Sequence, residues 1–205
     1  EELERIGIPL MPYTTRTNKK EILKAAEWMG YPLLVRLTDK YINPDTNIVY
    51  DEKSLNRFLS SNQEQINKEN PIFMEKFQEG LIGAEVLAVG DGEDAHIFGF
   101  LENIEEYGVH NDDCASIIPT LSVGDYQLAF AEEAIKRIVA HFGIIGHIKL
   151  WLAIKGREVF ITGVSPYPSR NIPFTERVFL QPLHEWIAHV LADGKIRELN
   201  DSRKI

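Results

Sequence analysis

Residues 158–173 read EVFITGVSPYPSRNIP, and the fold turns on how this stretch is read. Val159, Phe160 and Ile161 favour a strand, and Gly156 supplies a turn just before them. The strand breaks at Gly163, and Pro166 and Pro168 punctuate the loop beyond it. A strand running into such a loop delivers its last side chains to a cleft. Upstream, His147–Ile154 is a second apolar strand, and KGRE turns one into the other. The pair predicts a hairpin over 147–164.

Ahead of this hairpin, Asp125–Phe142 places Leu128, Ala131, Ile135, Ile138, Val139 and Phe142 on one helical face, and Gly143 stops it. A second hairpin is expected over 84–102, with GDGED as its turn. A short strand is expected at Ala115–Ile118 and a last helix at Leu183–Leu191. Towards the front, Asn18 caps a helix with Ile22, Ala25, Ala26 and Met29 on its apolar face. Gly30 ends it, and Leu33–Leu37 follows as a buried strand. Asp51 caps a helix over 52–65, and Pro71–Phe77 leaves it as a strand. Residues 1–15, rich in proline towards their end, are expected to be a linker.

Composition narrows the function. The chain has 205 residues, 44% hydrophobic and 26% charged, with a net charge of −9. That length supports a sizeable core in one or two lobes. An acidic chain lacks the basic surface that nucleic acid requires. No apolar run reaches the roughly 18 residues of a membrane-spanning helix. The single cysteine, Cys114, excludes an internal disulfide and fits a reducing compartment. The opening, EELER, is neither an initiator methionine nor a signal sequence, so a cytoplasmic piece of a longer polypeptide is expected.

Few side chains stand out chemically. Arg36 is a lone charge in an apolar strand: a strand-end arginine reaching solvent, or a planar donor fork for phosphate. The loop over residues 38–47, TDKYINPDTN, has no glycine to let backbone N–H groups approach an anion, and Asp39 and Asp45 repel one. Residues 102–114, ENIEEYGVHNDDC, form a polar stretch suited to a ligand wall, in which His110 is either a contact or a surface histidine.

Taken in order, YPLLVR, NIVYDE, LENIEEYGVHNDD and EVFITGVSPYPSRNIPF resemble the large subunit of carbamoyl phosphate synthetase, more closely its second, carbamate-phosphorylating half. The resemblance covers most of the chain. It implies an α/β (α+β) ATP-grasp fold of two lobes with mostly antiparallel sheets, here residues 16–93 and 94–205. It implies ATP and magnesium as cofactors, a ligase chemistry, and pyrimidine or arginine biosynthesis as the setting. Carried over by position, Arg36 matches a phosphate-contacting arginine. Glu75, Lys76 and Phe77 match the adenine hinge, and Gly83 stands where a ribose-binding glutamate is expected. Gly108, Val109 and His110 match a nucleotide-contacting segment, and Arg170 matches an arginine after the Asn-Pro motif. The family's metal ligands are a Gln on one strand and a Glu and an Asn on the next. Trp151, Gly163 and Ser165 occupy those positions, and Tyr167 replaces a further arginine.

Magnesium takes hard oxygen ligands in octahedral geometry, and Trp151 and Gly163 offer none. The expectation is therefore a degenerate domain with a structural or regulatory role among the other domains of a larger synthetase-like polypeptide, binding nucleotide weakly if at all. One alternative is a live domain whose metal sits on Glu102, Asp112 or Asp113. Another is a module holding a small anion through Arg36, His110 and Arg170.

Overall fold

The structure, a computed structural model, describes residues 2–38, 46–108 and 114–199. In chain order the first elements are α1 (Glu2–Arg5), β1 (Tyr13–Arg16), α2 (Lys19–Met29), β2 (Leu33–Leu37), β3 (Asn47–Val49), α3 (Glu52–Ser61) and β4 (Ile72–Lys76). Then come β5 (Ile82–Asp91), β6 (Ala95–Glu106), β7 (Ser116–Ile117), α4 (Asp125–Phe142), β8 (Ile145–Lys155), β9 (Glu158–Ser165), α5 (Ile172–Phe179) and α6 (Leu183–Leu191). They form two compact units: residues 2–10, 82–104 and 115–199 make the larger, and the rest make the smaller.

In the larger unit the strand order is β7-β6-β5-β8-β9, and both expected hairpins, β5–β6 and β8–β9, are present. The expected lobe boundary at 93–94 falls in the turn between β5 and β6, two neighbours in this sheet. Alternation along β5 sends Ala84, Val86 and Ala88 to one face, where Ala131, Ile135, Ile138 and Val139 of α4 cover them. Val89 points the other way, into a cluster with Phe98 and with Leu183, Trp186 and Val190 of α6. The strand meets α4 closely at Gly90. A Cβ there would lie 2.7 Å from the Ile144 carbonyl oxygen and 2.9 Å from both Val139 methyls.

The smaller unit has strand order β1-β4-β2-β3, antiparallel throughout. Leu33, Val35 and Leu37 of β2 and Ile72 and Met74 of β4 pack with Ile22 and Ala26 of α2 and Leu55 and Leu59 of α3. The Asn18 side chain caps α2 by accepting from Lys20 N–H. Asp51 and Ser54 cap α3 reciprocally, and that helix ends at Ser61, short of the expected 65.

One local expectation gives way, and two elements appear that the sequence reading left unassigned. Residues 1–15 are not a free linker. Ile8 and Met11 are buried, Ile161 N–H donates to the Pro9 carbonyl, Leu10 bridges Ile161 in parallel, and β1 pairs with β4. Residues 172–179, beyond the loop marked by Pro166 and Pro168, form a helix. Pro173 sits in its first turn, where a missing N–H is harmless. Asn47–Val49 is a short strand paired with Leu33–Val35.

Candidate functional site

The expected site residues divide between the two units. In the smaller one, Arg36 on β2 pairs with Phe73 on β4, and its guanidinium lies 4.4 Å over the Phe73 ring. Two residues along β4, Glu75 pairs with Leu34 on β2. Cross-strand partners share a face, so Arg36, Phe73 and Glu75 all lie opposite the helix-covered core. Glu75 is almost fully buried and accepts a hydrogen bond from the Tyr107 hydroxyl at 2.7 Å. Burial pushes its carboxyl up to about 7, only partly offset by Tyr107 and by the Arg36 charge. Tyr107 leads into Gly108, whose φ is +88°. A Cβ at Gly108 would lie 3.0 Å from Leu34 Cδ1 and 3.3 Å from Phe77 Cε2. Arg36, Glu75, Phe77 and Gly108 are thus brought together around Leu34.

Lys76 is not part of that group through its side chain. Strand alternation turns it away, and its ammonium donates to the Gly30 and Tyr31 carbonyls at 2.8 and 3.2 Å. The backbone N–H groups of Lys76 and Phe77 donate to the Pro12 and Pro32 carbonyls. Thr38 donates to the Pro71 carbonyl through both N–H and hydroxyl. Val109, His110, Asp112 and Asp113, and residues 39–45 of the glycine-free loop expected not to hold phosphate, lie outside the described residues.

In the larger unit Trp151 pairs with Gly163 and Lys149 with Ser165, with a register shift after Trp151. The three positions matched to metal ligands therefore share one end and one face of the sheet. Trp151 is half-buried, and its indole lies over Gly163 so closely that a Cβ there would meet Cε3 at 2.7 Å. The Ser165 hydroxyl accepts from Tyr167 N–H at 3.2 Å. Arg170 is exposed between β9 and α5.

Glu102, weighed as a substitute metal ligand, has another task. Its Oε2 accepts from Leu121 and Ser122 N–H at 2.8 and 2.7 Å. Burial raises this carboxyl, but those hydrogen bonds outweigh it and hold it below the ordinary range. Among the described residues no group of three or more His, Cys, Asp or Glu could hold a metal. The residues present at 151, 163 and 165 do not fit magnesium.

Two charged residues escaped the sequence reading. Glu85 on β5 pairs with Trp151, is buried, and accepts from the Asn171 side chain at 3.1 Å. Lys149 on β8 places its ammonium 4.0 Å from Glu85 Oε2 and 4.0 Å from the Trp151 ring centroid. Glu85 carries the signal that singled out Arg36, a lone charge in an apolar strand, IGAEVLAV. In HIKLWLAI, Lys149 alternates with apolar residues and reads as solvent-facing.

Comparison with known proteins gives the family. The model of the carbamoyl-phosphate synthase L chain ATP binding domain matches residues 1–199. The chain is 32% identical over 205 residues to the carbamoyl phosphate synthase large chain of Archaeoglobus fulgidus, covering all of this chain and 19% of that one. It is 29% identical over 197 residues to its Mycobacterium tuberculosis counterpart, covering 96% of this chain and 18% of that one. The chain thus spans about a fifth of the length of these relatives. Among solved structures, it is similar to the biotin carboxylase domain of Hydrogenobacter thermophilus 2-oxoglutarate carboxylase, in complex with MgADP, ADP and bicarbonate. The TM-score is 0.81 at 16% identity, over 95% of this chain and 44% of that one. N5-carboxyaminoimidazole synthase from Aspergillus clavatus gives 0.77 at 17% identity, over 95% of this chain and 50% of that one. These likenesses carry the ATP-grasp fold, and with the family match over almost its whole length the chain belongs to the carbamoyl-phosphate synthase large-chain ATP-binding domain family.

Proposed function

We propose that this domain has lost metal-assisted phosphoryl transfer and serves a structural or regulatory role within a larger synthetase-like polypeptide, binding nucleotide weakly or not at all. The observation that carries the reading is the packing of Trp151 on Gly163. A glutamate cannot stand at 163 while the indole covers it, because even a Cβ would meet Cε3 at 2.7 Å. The two departures therefore support each other as a pair. Phosphoryl transfer depends on positioning and on charge neutralisation by metal and cations. Arg36, stacked on Phe73, supplies one cation and cannot bridge two phosphates as a dication does. A degenerate domain is thereby favoured over a live carbamate kinase half, and Glu102, one of the alternative ligands, has its Oε2 engaged by two backbone N–H groups.

The test is a titration with ATP and with ADP, with and without Mg²⁺, alongside an assay for carbamate-dependent ATP turnover. Negligible magnesium-dependent affinity and no turnover above background are expected. The variant Trp151→Gln, Gly163→Glu, Ser165→Asn should gain magnesium-dependent affinity of tenfold or more, on the order of 1.4 kcal/mol. Turnover by the unmodified chain that is lost in Arg36→Ala would overturn the reading.

A further inference from the structure

The Trp151 end of the larger sheet carries two charged side chains with little exposure. The Glu85 side chain is 5% exposed and that of Lys149 14%. A buried carboxylate needs a compensating positive charge and hydrogen bonds. Asn171 supplies a hydrogen bond at 3.1 Å, and the register accounts for the charge. Glu85 and Trp151 are cross-strand partners, and Lys149 lies two residues from Trp151 on the same face. Lys149 can therefore reach the carboxylate on one side and the indole on the other, at 4.0 Å each. An ammonium over an indole face is held by the ring quadrupole, more strongly where water is excluded.

We propose that Lys149 is a resident cation that supplies the positive charge at this sheet end and closes it to divalent metal. Its ammonium neutralises Glu85, and the Trp151 indole, seated on Gly163, keeps it in place. Asn171, just ahead of α5, completes the carboxylate's hydrogen bonding and ties the 166–171 loop to β5. The unit then needs no metal on this face, and a divalent ion finds Glu85 already paired. This inference rests on the reading that metal-assisted chemistry is lost, and it adds what stands in the metal's place.

The experiment is a double-mutant cycle on the whole chain, with Lys149→Met, Glu85→Gln and both together, read by thermal melting and by Mn²⁺ paramagnetic resonance without nucleotide. Removing one member of a buried pair strands the other, so Lys149→Met should lower the melting temperature by roughly 5–15 °C. The double variant should melt above Lys149→Met, because no stranded carboxylate remains. Lys149→Arg should lose less than Lys149→Met. If Lys149→Met does not fold, the double variant decides: recovery supports the pairing, and failure to recover overturns it. Purely additive effects would also overturn it. The unmodified chain should leave Mn²⁺ free or bind it equally in Glu85→Gln. Mn²⁺ binding that disappears in Glu85→Gln would show that metal, not Lys149, serves the carboxylate. The two readings fail separately. Magnesium-dependent nucleotide binding would remove the proposed loss of function and leave the Lys149–Glu85 coupling intact, whereas additive melts would remove the coupling and leave the nucleotide result untouched.

Discussion

Glu75 in the smaller unit and His147 in the larger are both shifted strongly by burial, and they respond to pH in opposite senses. In the smaller unit Glu75 is pushed up to about 7 by burial. In the larger, His147 is held down to about 4, by burial first and then by the Lys149 charge, with the Tyr167 backbone a partial offset. Among the described residues neither His147 ring nitrogen has a partner in hydrogen-bonding geometry. Both groups are therefore neutral where they are most comfortable, one by keeping a proton and one by lacking it. The folded smaller unit holds a proton that its unfolded chain releases above about 4.3. Its contribution is full at acid pH and is lost as pH rises from there through 7. The folded larger unit refuses a proton that the unfolded histidine takes up below about 6.5. Its contribution is full above that and is lost as pH falls towards 4. One chain can thus carry two acid–base stability contributions of opposite sign, one from Glu75 and one from His147.

The largest effect should come from damaging one unit alone. Gly90→Val places branched carbons against the Ile144 carbonyl and Val139, where neither backbone nor branched side chain can yield. A loss of about 3 kcal/mol or more is expected in the larger unit. Hydrogen exchange read peptide by peptide should show faster opening in β5, β8 and α4 with β2 and β4 little changed. Equal acceleration in both would mean that the units unfold as one and have no separate pH profiles.

Next in size are the two titrations themselves. Glu75→Gln keeps an acceptor for Tyr107 and removes the charge. It should stabilise the smaller unit by on the order of 3 kcal/mol above pH 7 and change little at pH 4. His147→Gln should do the reverse in the larger unit, helping at pH 4 and not at pH 7. Exchange corrected for intrinsic rates at each pH measures both. A Glu75→Gln gain that is flat with pH would show that Glu75 titrates in the folded unit as it does in the unfolded chain.

How far the sequence reveals these features depends on the kind of interaction. Periodic burial is legible: the α4 stripe, its Gly143 stop and both hairpins follow from spacing alone. The α5 helix is not, because SPYPSRNIP carries the punctuation of a loop and a proline in a first helical turn looks the same as one in a coil. Edge pairing is also hidden. Residues 13–16, YTTR, become a strand only because β4 offers an edge. At the site, the positions matched by resemblance to metal ligands can be named from sequence, but the Trp151–Gly163 contact cannot, since it depends on cross-strand register and rotamer. The tie of Lys76 to Gly30 and Tyr31 is equally invisible, as it joins residues about 45 positions apart.

The smallest expected effect concerns Glu102, which anchors Leu121 and Ser122 in the larger unit. Glu102→Gln retains an acceptor and loses the charge assistance to two N–H groups. A cost of about 1–2 kcal/mol is expected near pH 7. It should shrink as pH falls through the carboxyl's lowered range, where the native residue is itself protonated. Thermal melts of both proteins at several pH values test it. An unchanged difference at acid pH would place the effect in packing instead of charge.

The docking of the chain's first residues on β9 bears on how the chain is made. Leu10 bridges Ile161, and Ile161 N–H donates to the Pro9 carbonyl. The β9 edge of the larger sheet is therefore covered at Ile161 by residues that emerge from a ribosome long before their partner does. The smaller unit is mostly one continuous stretch, and its sheet can close soon after residue 76 appears. The larger must wait for β9, holding its first ten residues unpaired meanwhile, and such sequence-distant pairings are slow to form. During synthesis the smaller unit would mature first, and β9 of the larger would then collect residues 9 and 10.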